Sequence, residues 1–171
     1  MKLAGELKDL DVFSISEKNV IAKIKKVIVD PENGSILGFQ VYGEGISKRG
    51  RNVVSFFDVK EADDEAVYVD SFEKIEGKEE LPRAYQTLDQ KISILGSKVF
   101  SQKGDFLGRT GDFAIDMDVG KMSRLYVERT GWKKFFLPYD LIFSFEEIIE
   151  IQKNKIIVTT ENRVPEVETA Y

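Results

Sequence analysis

Neither cysteine nor histidine occurs anywhere in this 171-residue sequence. Without cysteine there can be no disulfide framework, thiolate nucleophile or thiolate metal site. Without histidine the commonest general base, the commonest transition-metal ligand and every Ser-His or Cys-His nucleophile pair are missing as well. Long apolar runs are also lacking. No stretch approaches the roughly 18 apolar residues that a membrane span requires. The opening Met1-Lys2-Leu3-Ala4-Gly5-Glu6-Leu7-Lys8 reaches acidic residues too soon to hold the apolar core of a signal peptide. The expectation from these absences is a cytoplasmic protein with no cofactor, no metal and no enzymatic activity.

An excess of positive charge is absent too: 25 basic residues stand against 30 acidic ones, for a net charge of -5. A protein that neutralises many phosphates needs a net-positive face, so this balance argues against non-specific nucleic-acid binding and against attraction to anionic membranes. What is present is enough apolar material for a core, 42% hydrophobic against 32% charged.

The chain repeats itself. Val12-Phe13-Ser14 returns as Val99-Phe100-Ser101, an offset of 87. The offset then slips to 86, where Val27-Ile28-Val29-Asp30 faces Phe113-Ala114-Ile115-Asp116, Gly34 falls on Gly120 and Val41 on Val127. After a longer loop it settles at 89: Val53-Val54-Ser55-Phe56 matches Ile142-Phe143-Ser144-Phe145, and Val67-Tyr68-Val69 matches Ile156-Ile157-Val158. Apolar positions, a turn glycine and acidic positions recurring in one order indicate an internal duplication.

Each copy reads as short strands separated by turn signals. Val- and Ile-rich 20–29 runs into Pro31-Glu32-Asn33-Gly34, where the proline presets φ and the Asn-Gly pair tolerates positive φ. The return strand, 35–42, alternates at a period of two. The second copy repeats this with 113–116, a turn through Met117-Asp118-Val119-Gly120 and a strand over 121–127. Between the copies, Leu81, Tyr85, Leu88 and Ile92 fall on one helical face, with Pro82 suited to a first turn. The organisation expected is mainly β: a barrel-like domain over 1–72, a charged linker with a short helix over 73–92, a second barrel-like domain over 93–160, and a flexible tail over 161–171.

The hairpin Ile24-Lys25-Lys26-Val27-Ile28-Val29-Asp30-Pro31-Glu32-Asn33-Gly34-Ser35-Ile36-Leu37-Gly38-Phe39, followed by Phe57-Asp58-Val59 and Ala66-Val67-Tyr68-Val69, resembles the PRC-barrel family. The second copy resembles it through Gly96-Ser97-Lys98-Val99-Phe100, Gly104-Asp105-Phe106-Leu107-Gly108 and Glu147-Ile148-Ile149-Glu150-Ile151. The resemblance implies tandem small β-barrels. It also implies a docking or regulatory module without a catalytic centre, as in the cytoplasmic domain of the photosynthetic reaction-centre H subunit and the C-terminal domain of a bacterial ribosome maturation factor.

The patterns that could bear chemistry have plainer roles. Asp116 and Asp118 fail the calcium-loop spacing, because Gly120 already occupies the fifth position. They, like Asp63-Asp64-Glu65, read as turn or strand-end carboxylates, with Asp30 and Asp116 capping backbone N–H groups. Gly104, Gly108 and Gly111 lack the lysine and hydroxyl residue of a phosphate loop and read as turn or bulge glycines.

Two matched loops stand out. The first carries Lys48, Arg49 and Arg51; the second carries Trp132, Lys133, Lys134 and Phe135, with Phe136 and Tyr139 beyond. Such residues either fold back to plug the barrel, dock a protein or stack on nucleic acid. The reading drawn from the whole is an interaction or regulatory module for an unidentified protein partner, with an RNA- or ribosome-associated factor using the basic loops as the alternative.

Overall fold

A computed structural model describes residues 1–48, 50–129, 141–161 and 163. The chain opens with β1 (Lys2–Leu3) and the single-turn α1 (Ala4–Leu7). The first barrel then uses β2 (Asp11–Ser14), β3 (Asn19–Val29), β4 (Ile36–Tyr42), β5 (Val53–Ser55), β6 (Glu61–Ala62), β7 (Ala66–Val69) and β8 (Ile75–Glu76), in the spatial order β6-β7-β2-β3-β4-β5-β8. Helix α2 (Pro82–Asp89) links it to the second barrel of β9 (Lys98–Ser101), β10 (Phe106–Asp116), β11 (Lys121–Glu128), β12 (Leu141–Ser144), β13 (Ile148–Gln152) and β14 (Lys155–Val158), ordered β12-β11-β10-β9-β14-β13.

Six strands of each copy pair in the same order, β6-β7-β2-β3-β4-β5 and β13-β14-β9-β10-β11-β12. β2 runs parallel to β7 with Val12 opposite Val67, and β9 runs parallel to β14 with Val99 opposite Ile156. Both long hairpins carry a bulge at the same place, between Ile24 and Lys26 in one copy and between Thr110 and Asp112 in the other. Period-two alternation explains the faces, since Ala22 and Ile24 are buried where Lys23 and Lys25 are exposed. The hairpin turns close as their residues dictate. Asp30 Oδ1 accepts from the Glu32 amide at 2.9 Å and Asp116 Oδ1 from the Asp118 amide at 3.0 Å, while Gly34 and Gly120 take φ of 72° and 67°.

Strand membership crosses the expected boundaries at two places. β8 lies beyond residue 72 yet pairs with β5, and β1 leaves the first copy to pair with β10, Lys2 opposite Ile115. Helix α2 also ends earlier than the apolar spacing suggested. It stops at Asp89, Lys91 takes a φ of 55°, and Ile92 packs against the main core from beyond the helix. Leu81, Ala84, Tyr85 and Leu88 dock on Ile28 and Val53 of the first barrel.

The two barrels meet through their hairpin turns. The Ile36 amide donates to Gly120 O at 2.8 Å and the Met122 amide to Gly34 O at 2.9 Å, framing an antiparallel bridge between Ser35 and Lys121. A single buried cluster runs through both halves, from Leu7, Ile24 and Phe39 to Phe113, Leu125 and Phe143. No helix of the described residues is long and apolar enough to cross a membrane.

Candidate functional site

Two concave surfaces bear on function, one beside the first basic loop and one along the seam between the barrels. The loop surface begins at the β3 bulge. There Lys25 is the extra residue, left without a ladder partner between Ile24 opposite Val41 and Lys26 opposite Gln40. Across from it, the chain leaves β4 through Gly43, whose φ is 147°, and returns at Asn52. The enclosed cleft has a volume of about 690 Å³, with Lys25, Lys48, Gln40 and Asn52 as polar lining and Val41 and Ile46 as apolar wall. Tyr42 on its rim is pinned by donating to Asp9 Oδ1 at 2.9 Å, a hydrogen bond that raises the phenol pKa.

Helix α2 fixes the far wall. The Asn52 amide donates to Tyr85 Oη at 3.0 Å, and Tyr85 Oη also lies 2.9 Å from Asn52 Oδ1 and 2.8 Å from Glu76 O. Burial pushes the Tyr85 hydroxyl pKa up. Arg83 binds Asp30 in bidentate fashion, Nε to Oδ2 at 3.1 Å and Nη2 to Oδ1 at 2.8 Å. Those hydrogen bonds, against opposing burial and with help from the Glu32 amide, hold the Asp30 carboxyl below its ordinary pKa.

Of the residues that sequence reasoning singled out, Lys48 and Arg51 lie in the described loop; Arg49, Trp132, Lys133, Lys134 and Phe135 lie outside the described residues. Lys48 lines the cleft. Arg51 does not act with it as a free cation, because Glu80 meets its guanidinium at 2.6 Å, raising the Arg51 pKa and lowering that of Glu80. Lys25 was missed, although its copy-two counterpart at the offset of 86 is Gly111, an identity change at a shared bulge.

The seam surface is built from a 3₁₀ turn in each barrel. Phe56, in the turn Phe56–Asp58, covers Gly120 of the second barrel, and Phe145, in the turn Phe145–Glu147, covers Gly34 of the first. A groove of about 430 Å³ runs beside the first of these contacts, with Leu37, Phe57, Leu81 and Val119 as apolar lining and Asn33, Glu80 and the Asp30–Arg83 pair as polar lining. Phe57 is 90% exposed and Val119 67%. At the duplicated positions the sequence carries Glu146 in place of Phe57 and Asn33 in place of Val119, and Asn33 lines this same groove. No sequence argument had marked Phe57; the available signal was Phe56-Phe57 standing where the second copy has Phe145-Glu146.

The carboxylate clusters serve turns. Asp63 Oδ1 accepts from the amides of Glu65 and Ala66, both at 2.8 Å, and Asp63 Oδ2 from the Tyr68 hydroxyl at 2.9 Å, which lowers the Asp63 pKa. Gly108, with a φ of 148°, lies so close to β11 that a Cβ there would meet the Glu128 carbonyl. A family model described as the PRC-barrel domain matches residues 1–75 and 93–163, the two barrels without the linking helix. No curated protein matches the chain.

Proposed function

We propose that this chain, which belongs to the PRC-barrel family in both of its halves, is a non-enzymatic cytoplasmic module that docks another protein along the seam between its barrels. The observation that carries the reading is the exposed pair Phe57 and Val119 on the wall of a groove that also holds Leu37 and Leu81, where the duplicated positions are the polar Glu146 and Asn33. Apart from an edge contact with the Phe56 ring at 6.1 Å, Phe57 stands in water, where an aromatic side chain gains little for folding, and aromatics are the residues most enriched among interface hot spots. Carboxylates engaged with their own turns, as at Asp63 and Asp116, support a non-catalytic role.

The test compares the wild-type protein with Phe57→Ser in quantitative affinity capture. Thermal stability stays within about 0.5 kcal/mol, as for a surface change. A partner retained by the wild type is bound more weakly by about 2 kcal/mol, roughly thirtyfold. A partner held equally by both proteins would remove the seam from the reading.

The RNA- or ribosome-associated alternative draws its support from Lys48, which is exposed on the first loop. The Arg51–Glu80 pair weighs against it by removing one of the loop's charges. Anisotropy titrations with structured RNA distinguish the two. Steeply salt-dependent binding that falls in Lys48→Gln would favour RNA.

A further inference from the structure

We infer that the cleft between the Lys25 bulge and the 43–52 loop binds a small soluble organic anion, a phosphate ester or carboxylate carrying an apolar body. This goes beyond protein docking at the seam and does not depend on it. The cleft volume of about 690 Å³ falls within the range of about 300–1,000 Å³ typical of small-molecule sites. Among the described residues its lining contains two lysines and no carboxylate, in a protein whose net charge is -5.

The duplication supplies an internal control. Both copies need the bulge to bend the hairpin, and the second copy makes it with Gly111, so the bend itself does not require a lysine. In the second copy Glu128 stands over that glycine, where a Cβ would come within 2.7 Å of its side chain. The first copy has Tyr42 at the position of Glu128, and the space beside it is open. A bulge re-aims the residue it carries, and here it presents a cation to a cavity.

The neighbouring lysines are committed elsewhere. Lys23 pairs with Asp11 at 2.6 Å, and Lys26 reaches the Ile92 carbonyl at 3.5 Å. Burial first, and the charge of Lys25 second, hold the Lys26 ammonium below its ordinary pKa. Lys25 and Lys48 form no side-chain hydrogen bond or ion pair among the described residues. Lysine meets phosphate or carboxylate as a compact point charge. Gln40 and Asn52 add amide groups, and Val41 with Ile46 offers an apolar wall for the rest of the ligand. A lone inorganic ion would leave that wall unused.

The probe is phenyl phosphate, titrated into the full chain while the backbone amides of Gly43, Ile46 and Asn52 are followed by NMR. Saturable shifts centred on these residues are expected, with inorganic phosphate weaker and the neutral benzyl alcohol showing no saturation. Lys25→Gln and Lys48→Gln, both at exposed positions, should each reduce the association constant about tenfold, the size of a lost charged hydrogen bond, with unchanged melting temperature. Affinity unaltered in both variants, or an equal response to benzyl alcohol, would overturn the inference. An RNA oligonucleotide bound more tightly than phenyl phosphate, or sedimentation with phosphatidylglycerol vesicles, in either case lost in Lys25→Gln, would also overturn it by assigning the lysines to a polyanion or a membrane.

Discussion

Gly34 of the first barrel and Phe145 of the second form one contact: a Cβ added at Gly34 would stand 2.5 Å from Cε2 of the Phe145 ring. The duplicated contact, Gly120 beneath Phe56, is equally close at 2.5 Å. Each barrel thus supplies a bare glycine turn and an aromatic lid to the other, and the two turns exchange backbone hydrogen bonds between the lids.

Replacement of either glycine by alanine is expected to strain the turn and displace the opposing ring. Left-handed backbone costs a non-glycine residue about 1–2 kcal/mol, and overpacking typically costs a further 1–3 kcal/mol. Chemical denaturation of Gly34→Ala should therefore show a loss of about 2–5 kcal/mol. A loss below about 0.5 kcal/mol would mean that the seam yields without cost.

Arg83→Ala leaves Asp30, a residue only 6% exposed, without its guanidinium. Because the Arg83 side chain is itself one-third exposed, the cost should lie below the roughly 3–5 kcal/mol of a fully buried pair, at about 1–2 kcal/mol. The pH dependence has a definite sign. The folded-state pKa of Asp30 is depressed, so the contribution is fully present above the unfolded value near 3.9 and is lost as pH falls through the lower folded value. Urea midpoints measured down through that acidic window should fall more steeply for the wild type than for Arg83→Ala.

Tyr85→Phe removes the hydroxyl that accepts from the Asn52 amide. A buried donor left unsatisfied costs about 1–3 kcal/mol. The same substitution should speed hydrogen exchange at Asn52 more than at Val41, whose amide donates to the Asn52 carbonyl from within the sheet. Equal protection in both proteins would show that α2 does not hold the cleft wall.

Leu7→Ala tests whether the halves unfold together. Leu7 is fully buried in the cluster common to both barrels, so truncation should cost about 2–5 kcal/mol. One calorimetric transition, shifted downward as a unit, is the expected outcome. Two separated transitions would show that the barrels melt independently.

Much of the architecture was legible because the duplication wrote it twice. The turn glycines and the long hairpin of each copy follow directly from the aligned positions, Gly34 with Gly120 and Val41 with Val127. β1 was not legible. Lys2 and Leu3 have no periodicity of their own, and their partners Ile115 and Ala114 lie in the other copy. The end of α2 was misjudged because Ile92 keeps the apolar spacing while Lys91 has already turned the chain at positive φ. Arg51 looked like a free loop cation because no local pattern announces a Glu80 partner 29 residues away. Lys25 appeared merely as one lysine among several until the bulge separated it from its neighbours.

The linkage of the two turns in one chain changes what the seam demands. Two separate barrels meeting this way would depend on their concentration, and both would have to carry the same surface. Joined covalently, each faces its counterpart at a high fixed effective concentration, and the requirement for identical surfaces disappears. Phe57 can then diverge from Glu146, and Lys25 from Gly111, while the glycine and phenylalanine of each contact stay in place: a symmetric pairing has become a scaffold on which the two sides are free to take different work.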